Sequence, residues 1–388
     1  MESGIGLNGA KKCMSNKKDG IYNINSLNKL FLILILLSSF FAGYFDTSIP
    51  VFFFVLIIIC IYFFQIKFTI GQFLTISVFI IYLIILLISS TSITSTLSNL
   101  KWFYGILIFL IIFKIKDVKL YLFYCLSSHK LFLSFLLIII FETILVNLFL
   151  TPELVYGSVY KSSTIQIGPF NYNRPLGGGG NSSVTSTIIV AWYYSIQKEN
   201  IKYKASIFLI YSTSIILSMS GTGFILYLAG LILNKFNIFR IKVRIKLFSF
   251  ISLTLIFIIF CYLFLNSLNQ KLSIDYYIIV LKDKFSFMNN AVATNNMSPM
   301  SYNFENIFGY TVSSHVPLNG GDYGWLNLFY AHGIFGFIIF FLIIFVFSNG
   351  SKKNILSAVI FLLGAFHYSA IFVAAGQILL SKFIMNDK

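Results

Sequence analysis

Ile70-Gly-Gln-Phe-Leu-Thr-Ile-Ser-Val-Phe-Ile-Ile-Tyr-Leu-Ile-Ile-Leu-Leu-Ile-Ser-Ser90 runs without a single charge. As an α-helix rising 1.5 Å per residue it is about 31 Å long, which matches the ~30 Å hydrocarbon core of a bilayer. Similar runs lie near residues 29–46, 49–66, 99–114, 131–150, 181–197, 205–220, 221–234, 247–266, 325–348 and 354–368, with a shorter one at 369–383. The last pair can equally form one long tilted helix. None of these runs alternates with the period of two that an outer-membrane barrel strand needs. In hydrocarbon each segment must also satisfy its own backbone, so helices follow.

Composition agrees. Apolar residues fill 58% of the 388 positions and charged residues 10%, against about 25% charged in a soluble domain. A water-soluble fold is excluded. Twelve spans of about 20 residues consume about 240 positions and leave room for one or two substantial loops. The expected fold is all-α, a polytopic transmembrane bundle of about 11–12 spans.

The net charge of +16 does not indicate nucleic acid, because the basic residues sit at the ends of apolar runs, where they set orientation. With a cytoplasmic N-terminus and twelve spans, only Lys101, Lys161, Arg174, Lys271, Lys282 and Lys284 fall outside, leaving 22 of the 28 Lys and Arg inside. That asymmetry supports the orientation. The chain then divides into a cytoplasmic tail at 1–28, spans one to five at 29–150, and a periplasmic loop at 151–180. Spans six to nine follow at 181–266, a large periplasmic loop at 267–324, and spans ten to twelve with the C-terminal tail at 325–388. The first run lacks an A-x-A cleavage site and reads as an anchor. Cys13, Cys60, Cys125 and Cys261 are scattered singly, which indicates neither a metal site nor a disulfide framework.

Chemistry is therefore expected in the two outer segments. The first ends Gly168-Pro-Phe-Asn-Tyr172-Asn-Arg174-Pro-Leu-Gly177-Gly-Gly-Gly180-Asn181-Ser-Ser183 and enters an unusually polar span. Helix N-termini carry unpaired N–H groups, glycines let backbone approach a phosphate, and Arg174 adds a planar fork for its oxygens. The pattern suggests an anion site at the outer surface; the alternative is a flexible loop with Arg174 snorkelling to the interface. No G-K-[ST] follows, so it is not a nucleotide P-loop. The second segment carries Lys282, Asp283 and Lys284, then His315 and Asp322. A His and an Asp beside the membrane can take a proton from a hydroxyl, or be a surface His and a turn Asp. Glu142, inside the fifth span, is costly there; it is a functional candidate, a protonated acid, or bonded to a neighbouring span. His332 and His367 read as packing residues. Ser218-Met-Ser-Gly-Thr-Gly223 suits a tight outer turn or a helix break with close packing.

Three pieces resemble the bacterial O-antigen polymerases of the Wzy type, within the O-antigen ligase and polymerase group. Arg174-x-x-Gly177-x-x-x-Asn181-Ser182 is similar to that family's stretch leading from an outer loop into a span. Ser218-Met-Ser220-Gly221-Thr222-Gly223 resembles its Ser-Arg-Thr-Gly segment, with Gly221 where Arg is common. Asp322-x-Gly324-Trp325-Leu326, followed by His332-Gly333-x-x-Gly336, resembles the segment leaving the large outer loop. His315 stands near the place of a ligase His, with Val316 and Pro317 where Asn and Leu usually follow.

The resemblance implies metal-independent, cofactor-free glycosyl transfer at the periplasmic face of the bacterial inner membrane. The donor is a glycan on undecaprenyl pyrophosphate and the acceptor a lipid-linked repeat unit. A flippase and a chain-length regulator are candidate partners. Arg174, Gly177, Asn181, Lys282 and Lys284 are then expected at the pyrophosphate and Tyr172 on a sugar, with His315 as base and Asp322 as its rival or orienting partner. The alternatives are a ligase passing glycan to lipid A core and a flippase or exporter. A transporter should line a central path with charge.

Overall fold

The computed structural model describes residues 24–41, 48–89, 93–150, 164–167, 170–197, 204–235, 308–309, 324–348, 354–365 and 370–385. These residues are mostly helical, with twelve α-helices and one small hairpin. In chain order the helices are α1 (Ser26–Phe40), α2 (Ser48–Ile61), α3 (Ile70–Ser89), α4 (Ile93–Ile112), α5 (Lys116–Leu126) and α6 (His129–Ile144). After a π-helical turn (Leu145–Phe149), strands β1 (Thr164–Ile167) and β2 (Phe170–Asn173) pair antiparallel, and a 3-10 turn (Gly177–Gly179) leads into α7. Then come α7 (Ser182–Ile196), α8 (Lys204–Leu217), α9 (Gly221–Lys235), α10 (Gly324–Phe347), α11 (Ile355–Gly364) and α12 (Ala374–Ile384). The apolar run at 247–266 lies outside the described residues.

Two stretches, α3 and His129–Phe149, are long and apolar enough to cross a membrane. The faces of α3 are inverted relative to those of a water-soluble helix. Its buried positions are Gln72, Thr75, Tyr82 and Leu86, whereas Ile70 and Ile88 are each 81% exposed. Water would penalise such an outer face; lipid would not. Thr69 and Gln72 start this helix with a reciprocal cap, the Gln72 N–H donating to Thr69 Oγ1 (3.3 Å) and the Thr69 N–H to Gln72 Oε1 (3.1 Å).

All fifteen residues of α7 are buried, so it is the central element, packed against α11, α9, α8 and α12. Its Ser and Thr side chains and the glycines facing them allow close approach. A Cβ on Gly223 would lie 2.3 Å from Ser186 Cβ, and one on Gly364 2.4 Å from Thr187 Cγ2. At its far end, Trp192 Nε1 donates to the Leu126 carbonyl (2.7 Å). Lys382 Nζ donates to the same carbonyl (2.9 Å) and to Ser195 Oγ (3.1 Å). Lys382, which by sequence ends the last apolar run on the cytoplasmic side, is buried, its charge set against the C-terminus of α5. Removing a buried charge while keeping volume is often neutral, whereas leaving a cavity is not. We therefore expect Lys382→Met to hold thermal stability within about 1 kcal/mol and Lys382→Ala to lose about 2–4 kcal/mol. Equal losses in a detergent melting assay would contradict this account.

Three further features bear on the apolar pattern. α5 is a helix where the sequence suggested a loop. The last two apolar runs hold separate helices, as the first of the two readings has it, with a 3-10 turn (Ala370–Phe372) before the second. α10 is broken at Gly333 (φ 64°, ψ −169°). At that break Tyr82 Oη meets His332 Nδ1 (2.9 Å), and Tyr104 Oη donates to the Gly336 carbonyl (2.7 Å), which fits the reading of His332 as a packing residue.

Candidate functional site

The segment from Tyr172 to Ser183 descends from the C-terminal end of α6 into the bundle. Asn147, in the π-helical turn, accepts from the Asn173 N–H (2.8 Å) and donates to the Asn173 carbonyl (2.8 Å), while Asn173 Nδ2 donates to the Val146 carbonyl (3.0 Å). These bonds clamp the hairpin to α6. Tyr172 Oη donates to the Leu217 carbonyl, tying β2 to the end of α8. Burial pushes the Tyr172 phenol up to about 12, only partly offset by a hydrogen bond with Thr143, so at neutral pH this hydroxyl is a donor and not a base.

Beyond Arg174, which is half-buried, the chain enters the interior. Glu142 lies thirteen positions beyond the start of α6 and is buried. Its Oε1 accepts from the Leu176 N–H (2.7 Å) and the Gly177 N–H (3.2 Å). By these bonds Glu142 is held not to a neighbouring helix but to the turn that precedes α7. The two bonds satisfy backbone that a regular helix would have satisfied itself.

Glycine is required here by space and by backbone. Gly177 has φ +60°, and a Cβ on Gly178 would lie 2.0 Å from the Phe40 carbonyl oxygen of α1. The Gly179 N–H donates to Thr185 Oγ1 (3.0 Å), which itself donates to the Leu176 carbonyl (2.6 Å). Asn181 is the N-cap of α7, its side chain accepting from the Ser183 N–H (2.8 Å). The run of glycines is thus a packed turn and not a flexible loop. The N–H groups of Leu176, Gly177, Gly179, Gly180 and Ser183 are all engaged within the chain.

Next to the turn is a floor of buried hydroxyls. Ser220 Oγ donates to Ser183 Oγ (2.9 Å), and Ser186 Oγ lies 2.8 Å from Ser218 Oγ. Ser218–Ser220 form the turn joining α8 to α9, with Met219 in the left-handed region (φ 46°), and Gly221–Gly223 open α9. The structure therefore brings together Tyr172, Arg174, Gly177 and Asn181 with Glu142. Asn147 and Thr185 are contributors that spacing did not reveal, since an Asn in an apolar run and a Thr in a polar one carry no positional signature. His315, Asp322, Lys282 and Lys284, along with His367, lie outside the described residues. No group of three or more His, Cys, Asp or Glu suited to a metal occurs among the described residues.

Fold and site together define a mostly helical protein with two candidate membrane spans and a rigid, arginine-bearing turn held by a buried carboxylate. Comparison with protein-family models, curated proteins and solved structures yields no match.

Proposed function

We propose that this chain is a multi-pass protein of the bacterial inner membrane that polymerises undecaprenyl-pyrophosphate-linked repeat units at the periplasmic face. One placement supports the reading: Arg174 follows the hairpin that Asn147 clamps to the C-terminal end of α6, opposite the bundle end where Lys382 caps α5. A leaving diphosphate accumulates negative charge in the transition state, and a rigid guanidinium fork lowers that barrier without a metal. The Asn147 clamp holds the backbone of Asn173, the residue before Arg174. His315 or Asp322 would take the acceptor hydroxyl proton, and Lys282 or Lys284 would add positive charge to the diphosphate. The outward apolar faces of α3 and α6 and the basic bias of one bundle end support the membrane embedding.

Deleting the gene and running the surface glycan on a gel tests the reading. Loss of a polymerase leaves core plus a single repeat; loss of a ligase or flippase leaves bare core. On reintroduction, Arg174→Ala is expected to reduce chain extension by at least about tenfold, the equivalent of 1.4 kcal/mol, with Arg174→Lys intermediate because it keeps charge but not the fork. A normal ladder from Arg174→Ala would remove Arg174 from diphosphate stabilisation.

A further inference from the structure

α11 begins Asn354-Ile355-Leu356-Ser357. Asn is among the best N-cap residues, because its side-chain oxygen can accept from the second or third N–H of the helix that follows. Here it does not do so. Asn354 holds φ −109° and ψ 12°, outside the extended region usual for a capping residue, and makes no side-chain cap bond. The N–H groups of Ile355, Leu356 and Ser357 in this first turn have no acceptor among the described residues.

The start of this helix is also enclosed. Asn354 is 3% exposed and Ser357 1%, and neither Asn354 Oδ1 nor Ser357 Oγ has a hydrogen-bond partner among the described residues. Side chains lean toward the N-terminus of their helix, so Ser357 carries its hydroxyl toward the unbonded N–H groups of the first turn. α11 packs on α7, α9 and α12, and Gly364 at its far end faces Thr187 in the first half of α7. Asn354 therefore lies toward the C-terminal end of α7, the bundle end of Lys382 and not that of Arg174. A buried helix start whose donors and side chains are all unpaired is costly unless something polar fills it.

We infer that a small monovalent anion, of the size and charge of chloride, binds at the start of α11 between Asn354 and Ser357. The sign follows from the N–H donors and the positive end of the helix dipole, both of which repel a cation. The Ser357 hydroxyl donates as well, and a half-turn of the Asn354 amide exchanges Oδ1 for Nδ2 in the same shape, adding another N–H. The size follows from the enclosure. A monatomic ion needs the least room, and a single charge is taken out of water at lower cost than the double charge of a phosphate. This site is separate from the proposed glycosyl transfer and does not depend on it.

The test melts the full-length protein in neutral detergent and potassium gluconate, with chloride replacing gluconate stepwise at constant ionic strength. Wild type should melt higher as chloride rises and then saturate, and bromide should substitute for chloride. Ser357→Ala should need at least about tenfold more chloride for the same rise, because a hydrogen bond to a charged group is lost. Asn354→Asp brings a carboxylate of its own, so it should melt above wild type in gluconate and no longer respond to chloride. Wild-type melting that is the same in chloride and gluconate would put water in place of the ion and overturn the assignment. So would a Ser357→Ala response equal to that of wild type, an undiminished chloride response in Asn354→Asp, or stabilisation by phosphate and not by chloride. Surface glycan is not read in this assay, so failure here and failure of the polymerase reading are separable.

Discussion

Glu142→Ala is expected to lower stability by about 3–5 kcal/mol, because two buried N–H donors lose their acceptor at roughly 1–3 kcal/mol each and a cavity is left behind. The donors belong to Leu176 and Gly177, so the damage is aimed at the turn that carries Arg174. Glu142→Gln separates geometry from charge. Its amide oxygen can still accept both bonds, while its NH2 group replaces the second carboxyl oxygen in a buried site, and about 1–2 kcal/mol should go. Melting curves of the three purified proteins check the order, wild type above Gln above Ala. A Glu142→Ala protein as stable as wild type would show that the carboxylate does not hold the turn. If the proposed function is right, chain length on a glycan gel should fall in the same order.

The second large effect is expected at Gly178. A methyl group there would sit 2.0 Å from the Phe40 carbonyl oxygen and 3.0 Å from its carbon, both backbone atoms that no rotamer change can move. Either α1 separates from the turn or the turn leaves the interior. Overpacking of this kind costs about 1–3 kcal/mol and occasionally more, and here the upper end applies. Gly221→Ala is the matched control. Nothing lies within 4 Å of its added methyl group, and at the first position of α9 the change should be neutral or stabilise by up to about 1 kcal/mol. Folded yield after detergent extraction and melting temperature report both. Equal behaviour of the two variants would mean that the close approach of α1 to the turn is not a constraint.

Much of the helical layout was legible along the chain, because a long uncharged run has few backbone solutions once water is absent. α3 and α6 fall within two residues of their apolar runs at the N-terminal side. α5 was not legible: with Lys116, Asp117 and Lys119 in its first turn it resembles a loop, and its inward face of Val118, Leu122 and Leu126 has meaning only against the bundle. The break in α10 was hidden because Gly333 sits in an apolar stretch that reads equally well as one straight helix.

At the candidate site, residue types were readable and their partners were not. Arg174, the glycine run and Asn181 stood out as a group. Its joining to Glu142, more than thirty positions away, and to Phe40, on the first helix, could not be inferred from spacing. The glycines suggest close approach, but only tertiary structure says that the approaching atoms are a carboxylate and a backbone carbonyl of this same chain.

The sequence by itself determined that this chain forms long apolar helices with cations gathered at the ends of the runs, since transfer free energy depends on composition and length and is felt locally. Tertiary structure alone decided which carbonyl Lys382 caps, that Glu142 closes the turn, and that Gly178 touches α1. Such contacts depend on directional bonds and sub-ångström clearances between distant segments, and these exist only once the helices have been brought together.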